Sequence, residues 1–434
     1  MKVIRPFKFL AVLLSVLGIS SLLSVAVTTK NYSQSFPQVV CPPTLDGLSS
    51  QISLSSKKTL FQKLQNRTTK TSPVKALRLP VTKDSLVISS EGITPVVWQS
   101  RSGSWAGGTL CAAPASTQWF VGGASDVTSR GRLIIANSGL SDAVVDVESF
   151  TENGKQVLKS IKVTSKNFVV VPLDSLAPGD KKLAVHVSPR SGRINAFMVD
   201  EQGKGLKALG GDLVNPVATV SKIVVIPAVP NQSSKKSPAL PHTLRVLAPG
   251  DVDSSITVEV LSADGVFVPV GLNSRTITSG TVTEFQLDPK ISSNVMAVRI
   301  TATEPIVAAV KSIVTVKSKK DFVWSSAAPE LTPMTIAITG LTPFLSFTGD
   351  EIDVSLEVTL INGKIVRQNV KGTDIAKWRA PDNARAIRFT KVGSATFVGA
   401  LVSSANGYGY FPIAAGSVLT KIEVPDSNIR VLNP

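Results

Sequence analysis

Histidine and cysteine are scarce in this sequence, whose 434 residues include two of each. A metal site needs several such donors converging at close spacing, and no His or Cys cluster occurs. The sequence also lacks a G-x-S-x-G elbow, a P-loop, and a G-x-G-x-x-G turn that opens a helix. We therefore expect no metal, no cofactor and no catalytic residues, and we predict that the protein is not an enzyme.

Tyrosine, tryptophan and methionine are also few, at three, five and four residues, although 43% of the chain is hydrophobic. Aliphatic side chains must then fill the cores, which favours β-sheets. The length leaves room for three or four domains of roughly 100 residues each. Lysine and arginine exceed aspartate and glutamate by 16, so the surface is expected to attract phosphate-bearing polymers, acidic glycans or lipid head groups.

The N-terminus predicts export. Lys2, Arg5 and Lys8 precede an uncharged apolar run over residues 9–27, close to the roughly 20 residues that span a bilayer. We predict a signal-anchor over residues 1–30, with a cleaved signal peptide as the alternative because the site at Ala26 is imperfect. The basic residues stay cytoplasmic by the positive-inside rule. This predicts a single-pass cell-membrane protein with an extracytoplasmic bulk, or a secreted one after cleavage, and disfavours nucleic acid as a partner.

The two cysteines suit an exported chain. Cys41 and Cys111 each lie in an apolar, strand-like segment next to proline. Outside the cytoplasm two such thiols would most simply form a disulfide, and two separately buried free thiols are the alternative. Between them, residues 49–75 are rich in Ser, Thr, Lys and Gln, which predicts a flexible spacer or a solvated loop.

An internal repeat organises the rest of the chain. Residues 133–154 align without a gap on residues 244–265, an offset of 111 residues, and residues 352–363 form a third copy. Each copy has an alternating strand, a glutamate at Glu148, Glu259 or Glu357, and an Asn-Gly or Asp-Gly pair. Such a pair between strands predicts a hairpin turn. We assign the three glutamates a structural or surface role.

The predicted fold is all-β, with tandem immunoglobulin-like β-sandwich domains preceded by one transmembrane or signal helix. The predicted segments are a leader at 1–30, a diverged sandwich with the Ser/Lys-rich loop at 38–128, sandwich repeats at 129–228, 240–331 and 332–420, a linker at 229–239 and a C-terminal tail at 421–434.

Aromatic residues in glycine-rich segments are the candidates for a binding surface. Trp105 lies between glycine and serine residues, and Tyr408 and Tyr410 alternate with glycines. Exposed aromatic rings in such loops would stack on a sugar or contact a partner. The two histidines, His186 and His242, are predicted to be surface residues with satisfied hydrogen bonds.

Several motifs together resemble an uncharacterised actinobacterial family of exported, membrane-anchored proteins. They are the N-terminal anchor, Cys41-Pro42, Cys111 followed by residues 119–123 (Trp-Phe-Val-Gly-Gly), and residues 133–137 leading into an alternating strand. The resemblance implies a domain of unknown function whose relatives are often encoded near a large envelope glycosyltransferase. It implies no site residues.

The charge and the resemblance together predict a non-catalytic scaffold or binding protein of the bacterial cell envelope. Its partner would be an anionic cell-envelope polymer or a membrane-associated envelope protein such as a glycosyltransferase, and it would hold the membrane through residues 9–27. The alternative is an envelope carbohydrate-active enzyme whose carboxylates assemble only in the fold.

Overall fold

The computed structural model describes residues 38–64, 71–89, 92–205, 207–232 and 240–416. All of them belong to one compact unit, Ser35–Val418. The predicted leader at 1–30 lies outside the described residues, as does the predicted tail at 421–434. Within the described ranges, no helix is long and apolar enough to cross a membrane.

Strands account for nearly all of the regular structure, which confirms the predicted all-β class. The first nine strands are β1 (Gln38–Cys41), β2 (Ser49–Ser53), β3 (Leu60–Lys63), β4 (Ser72–Pro73), β5 (Arg78–Val81), β6 (Leu86–Ser89), β7 (Ile93–Arg101), β8 (Trp105–Leu110) and β9 (Gln118–Val121). β1, β6, β3 and β4 form a four-stranded sheet in that order.

The next segment forms a sandwich. Its elements are β10 (Arg132–Asn137), β11 (Ala143–Thr151), β12 (Gly154–Lys155), β13 (Lys159–Val163), β14 (Asn167–Pro172), a 3₁₀ helix (Leu173–Ser175), β15 (Leu183–Ser191), β16 (Ile194–Lys204) and β17 (Lys207–Val214). One sheet has the order β14-β10-β16-β17. The other has the order β12-β11-β15-β9, with β13 on β11. Side chains from both sheets share one apolar core.

One long strand dominates the third segment. The strands are β18 (Ser221–Pro230), β19 (His242–Leu247), β20 (Ser254–Ser262), β21 (Gly265–Phe267), β22 (Arg275–Ile277), β23 (Thr283–Leu287), β24 (Val295–Val316) and β25 (Lys319–Ser326). The first half of β24 pairs with β20 and most of β18, and its second half pairs with β19 and β25. β24 therefore joins all these strands in one sheet.

The last segment completes a ten-stranded sheet. Its strands are β26 (Met334–Ala337), β27 (Phe344–Leu360), β28 (Ile365–Arg379), β29 (Ala384–Lys391), β30 (Phe397–Ser403) and β31 (Tyr408–Pro412). The sheet order is β31-β30-β27-β29-β26-β7-β2-β5, with β28 on β27 and β8 on β7. The first and the last predicted sandwiches thus share a sheet, and they also share a core.

The tandem immunoglobulin-like arrangement is not confirmed, because sheets and predicted segments do not coincide. The first three residues of β7 extend beyond its hairpin with β8 and pair in parallel with β26. β9 precedes the predicted boundary at residue 128 but pairs with β15. The predicted linker at 229–239 begins inside β18, where Val229 is fully buried. Strands can pair across the predicted boundaries because a free strand edge forms backbone hydrogen bonds with any neighbouring strand, whatever the distance in sequence.

The three repeated hairpins are confirmed. β11 turns into β12 and β20 into β21 with the same local geometry. The Thr151 hydroxyl accepts the N–H of Asn153 at 3.1 Å, and the Ser262 hydroxyl accepts the N–H of Asp264 at 3.1 Å. The glycine that follows each turn has a positive φ, 102° at Gly154 and 120° in the second copy, which L side chains rarely adopt. The third hairpin joins β27 to β28.

The predicted disulfide is present. It links Cys41, at the end of β1, to Cys111, directly after β8, and both cysteines are fully buried. In its described residues, the segment 49–75 contains strands instead of the flexible spacer that its composition predicted. Residues 49–53 form β2 in the ten-stranded sheet, and residues 60–63 form β3. Ile52 in β2 is buried in a core, as are Leu54 and Leu64, which directly follow the two strands.

Removal of the disulfide should destabilise the fold strongly. The bridge closes a loop with a sequence separation of 70 residues, so the double variant Cys41→Ser/Cys111→Ser is expected to lose about 4 kcal/mol of unfolding free energy by the chain-entropy model. Guanidinium titration of both proteins measures the loss. The wild-type protein, unfolded and refolded under reducing conditions, serves as the control and should match the variant. A loss below about 1 kcal/mol would contradict the entropic role.

Candidate functional site

The middle of the molecule is built around strand β17, which contacts both β8 and β25. Two consecutive glycines in β17 allow this approach. A Cβ atom on Gly211 would lie 2.8 Å from the indole ring of Trp105, and one on Gly210 would lie 2.7 Å from a carboxylate oxygen of Asp321. No larger residue fits at either position without displacing a neighbour. The sheets therefore meet at van der Waals distance here.

Trp105 is a core residue, so the prediction that it is an exposed contact is wrong. Its side chain is 0% exposed, and its indole N–H donates to Glu201 Oε1 at 3.2 Å. Both carboxylate oxygens of Glu201 also accept hydrogen bonds from the Arg101 guanidinium. The flanking glycines suggested an open loop, but Gly107 and Gly108 belong to β8, and Gly107 makes room for β17.

The second predicted binding loop is also internal. Tyr410 is 0% exposed, and its hydroxyl donates to the carbonyl of Ser326 at 2.7 Å. Tyr408 is half-buried beside a small cavity of about 160 Å³. Asn406 accepts the backbone N–H of Gly103 at 3.2 Å, so the two glycine-rich segments bind each other. Neither segment offers the exposed aromatic platform that we predicted.

Both histidines have hydrogen-bond partners, but only one lies near the surface. His186 lies between Glu148, at 2.7 Å, and Thr117, at 2.8 Å, and stacks on Trp119 at 4.0 Å. His242 is fully buried, which corrects the surface prediction. Its Nδ1 lies 2.9 Å from the Ser312 hydroxyl, and burial lowers its pKa to about 4.

The repeated glutamates take part in cross-strand ion pairs. Glu148 pairs with Lys155 at 2.6 Å, Glu259 with Arg299 at 2.7 Å, and Glu357 with Arg367 at 3.1 Å. Each pair lies on neighbouring strands, which agrees with the structural role predicted for these glutamates. Within the part of the chain that the structure describes, no group of His, Cys, Asp and Glu is arranged to hold a metal ion.

Three buried aspartates lie close together, one of them in the lining of a surface groove, and no pattern in the sequence indicated them. Asp200 lies directly opposite Asp212 in the β16–β17 pairing. Trp324 on β25 binds both: its indole N–H donates to Asp200 at 2.8 Å, and its backbone N–H donates to Asp212 at 2.7 Å. Asp321 accepts the backbone N–H groups of Gly211 and Phe322, at 3.0 and 2.9 Å. All three are at most 2% exposed.

Burial controls the protonation of Asp212 and Asp321, because removal from water disfavours the charged form. It raises the pKa of Asp212 well above its usual range, and the neighbouring Asp321 and Asp200 charges add to the effect. It raises the pKa of Asp321 to about 7, although its two backbone donors oppose the shift. One oxygen of Asp200 and Oδ2 of Asp321 have no hydrogen-bond partner among the described residues.

Two cations lie against the aromatic rings of the same region. The Lys311 ammonium lies 3.9 Å from the centre of the Phe322 ring and 5.5 Å from that of Trp324. The Arg245 guanidinium lies 4.7 Å from the Trp324 ring and forms an ion pair with Glu284 at 2.8 Å. Burial lowers the pKa of Lys311. The aromatic faces compensate in part for the water that these cations lose.

The groove above Asp321 has a volume of about 780 Å³. We call it the lysine groove, because its walls carry Lys207, Lys311, Lys319 and Lys320. Its apolar surface comes from Leu209, Leu240, Pro241, Ile313 and Phe322. Lys319 donates to the carbonyl of Gly103 at 2.7 Å. None of the four lysines forms an ion pair with a described carboxylate.

The comparisons with known proteins give a family and little else. A family model described as "Family of unknown function (DUF5719)" matches residues 93–375. No curated protein matches the chain. A solved structure titled "Crystal structure of tetra-tandem repeat in extending region of large adhesion protein" is 11% identical, with 91% of this chain and 97% of that chain covered. Its TM-score is 0.12, so this likeness supports no conclusion about the fold.

Truncation of Trp105 tests its place in the core. Trp105→Ala should lower the unfolding free energy by about 3–5 kcal/mol, because a large cavity forms and Glu201 loses a hydrogen bond. Chemical denaturation measures the change. Trp378→Ala is the matched control, since that tryptophan is only half-buried and should cost less. A loss within about 0.5 kcal/mol, typical of surface positions, would contradict the buried placement.

Asp321 should make the fold less stable as the pH rises. Its pKa is raised from 3.8 to about 7 by folding, so the folded state binds the proton more tightly, and this stabilising effect disappears as the pH rises through 7. Between pH 5 and pH 8 we expect the contribution to fall by about 3 kcal/mol. Denaturation of wild type and Asp321→Asn at both pH values gives the slope of the unfolding free energy against pH, and the difference between the two slopes measures this contribution. The exposed Asp382→Asn should retain the wild-type slope, and identical slopes for wild type and Asp321→Asn would refute the assignment.

Proposed function

We propose that this chain, which belongs to the DUF5719 family of unknown function, is a non-catalytic scaffold or binding protein of the bacterial cell envelope. Its ligand is an anionic envelope polymer that lies in the lysine groove. Anchoring through residues 9–27 and an actinobacterial source are parts of the same proposal.

The observation that carries this proposal is the set of four lysines around one groove, none of them in an ion pair with a described carboxylate. Elsewhere on the surface, acidic side chains neutralise many cations, as Glu259 and Asp350 do for Arg299. Among the residues that line the groove, the acidic one is Asp321, whose pKa burial raises to about 7. The groove is therefore a local concentration of positive charge that attracts anions.

Two hairpin tips build the rim of the groove, and their composition suits an extended ligand. Lys204 and Lys207 flank the turn between β16 and β17, and Lys317, Lys319 and Lys320 lie at the turn between β24 and β25. All five of these lysines are exposed, whereas Lys311 is partly buried in the lining of the groove. Ammonium groups spaced along a rim contact successive charges of a polymer, whereas a small anion would occupy only part of the groove. This favours a polymer over a single ion.

The disulfide supports a location outside the cytoplasm. Disulfides persist in oxidising compartments and are rare where thiol reductants act. A chain exposed to the envelope also meets its most abundant anionic polymers there. The charge excess of 16 over the whole sequence has the sign that binding to such polymers requires.

Binding of defined polymers to the full-length, detergent-solubilised protein tests the proposal. The probes are polyglycerol phosphate, with phosphodiester charges, polygalacturonate, with carboxylate charges, and neutral dextran. We expect the two anionic polymers to bind, with affinity that falls as salt rises, and dextran to show no binding. Failure of both anions to bind at low salt would overturn the proposal.

A charge-matched pair of variants locates the site. The triple variant Lys207→Gln/Lys319→Gln/Lys320→Gln should weaken polymer binding about 100-fold, if each lysine contributes about 1 kcal/mol. The control is Lys290→Gln/Lys364→Gln/Lys371→Gln, which removes the same charge from exposed positions outside the groove. Equal weakening in the two variants would show diffuse attraction to the whole surface instead of a site.

A further inference from the structure

We infer that the lysine groove binds its anion together with a proton, and that Asp321 at the floor of the groove is the residue that takes up this proton. The inference rests on the proposed anion-binding function. It assigns Asp321 a role that its position in a strand and its burial alone would not suggest.

Asp321 is placed at the boundary between the groove and the core. It lies between Lys320, an exposed residue of the rim, and Phe322, a buried residue of the apolar floor. Its Oδ1 atom is held by two backbone N–H groups, whereas its Oδ2 atom has no hydrogen-bond partner among the described residues. The free oxygen is the atom on which a proton would reside. The side chain is 2% exposed, so water screens its charge poorly.

The charged and titratable groups around Asp321 and the neighbouring Lys311 come from several strands and one loop. They are Lys319 and Lys320 on β25, Lys311 on β24, Lys207 and Asp212 on β17, Asp200 and Glu201 on β16, Arg245 on β19, Glu284 on β23, and Asp126 in the loop after β9. Burial raises the pKa of Asp212 well above its usual range, and the neighbouring Asp321 and Asp200 charges add to this effect. His242, with a pKa of about 4, stays neutral.

The sign of the coupling follows from charge alone. An anion in the groove repels the Asp321 carboxylate, so binding raises the pKa of Asp321, which is about 7 in the free protein. By linkage, protonation of Asp321 must raise the affinity for the anion by the same factor. The groove therefore binds anions more tightly at pH 6 than at pH 8.

The test uses polyglycerol phosphate, because a phosphodiester keeps its charge across this pH range and only the protein titrates. Binding to the full-length protein is measured from pH 5.5 to 8.5 at constant ionic strength. We expect the dissociation constant to rise about tenfold between pH 6 and pH 8, the scale set by one linked proton. Calorimetry in buffers of different ionisation enthalpy should show uptake of up to about one proton per site near pH 7.

Three variants separate this inference from the function on which it rests. Asp321→Asn mimics the protonated acid, so it should bind at pH 8 as tightly as wild type does at pH 6 and take up no proton. His186→Gln should leave the pH dependence unchanged, because His186 lines a different cavity. The groove triple variant should bind weakly at every pH.

The possible failures are distinct. If the wild type binds no anion at any pH, the proposed function fails. If it binds equally well across the range, or if Asp321→Asn retains the slope, only the proton coupling is overturned. If Asp321→Asn fails to fold, the number of protons that the wild type takes up on binding the polymer still tests the coupling, because no uptake near pH 7 would overturn it.

Discussion

The packing of the sheets depends on two adjacent carboxylates of β16 that hold two buried tryptophans. Glu201 accepts the indole N–H of Trp105 on β8, and Asp200 accepts that of Trp324 on β25. Successive residues of a strand point to opposite faces, so these two hydrogen bonds join β16 to different neighbours on its two sides. Buried indole groups need such acceptors, and carboxylates are strong ones. The glycines of β17 then allow the backbones to come close enough for both bonds to form.

This arrangement buries aspartates in the core, where carboxylates are rare. The positive charge of the lysine groove depends on this burial. Charged carboxylates in a water-free region are costly, so burial raises the pKa of Asp212 well above its usual range and that of Asp321 to about 7. The lysines above them consequently face little opposing charge. The basic groove is thus connected to the packing of the core, because the same aspartates bind the backbone of β17 and β25 and lie under the ammonium groups.

The local features of the fold could be predicted from the sequence, and the long-range ones could not. Alternating residues, the repeated turn before Gly154 and the cysteines in apolar segments are short-range patterns, and the structure confirms the strands, hairpins and disulfide that they predict. The pairing of β7 with β26 joins residues more than 200 positions apart, for which no pattern exists. Glycine beside Trp105 was misleading, because glycine serves both open loops and close backbone contacts. The aspartates of the site were missed, since each lies in a different strand and only the fold brings them together.

The sheet shared by the first and last segments has an evolutionary consequence. In a linear array of repeats, copies can be gained or lost at an end because each copy contacts only its neighbours. Here the first strands complete the sheet of the last copy, so an added or deleted repeat would separate β7 from β26 and leave both edges unpaired. The duplication visible in the sequence therefore produced an architecture that fixes its own number of copies. We therefore expect the copies to diverge by substitution and not by a change in their number.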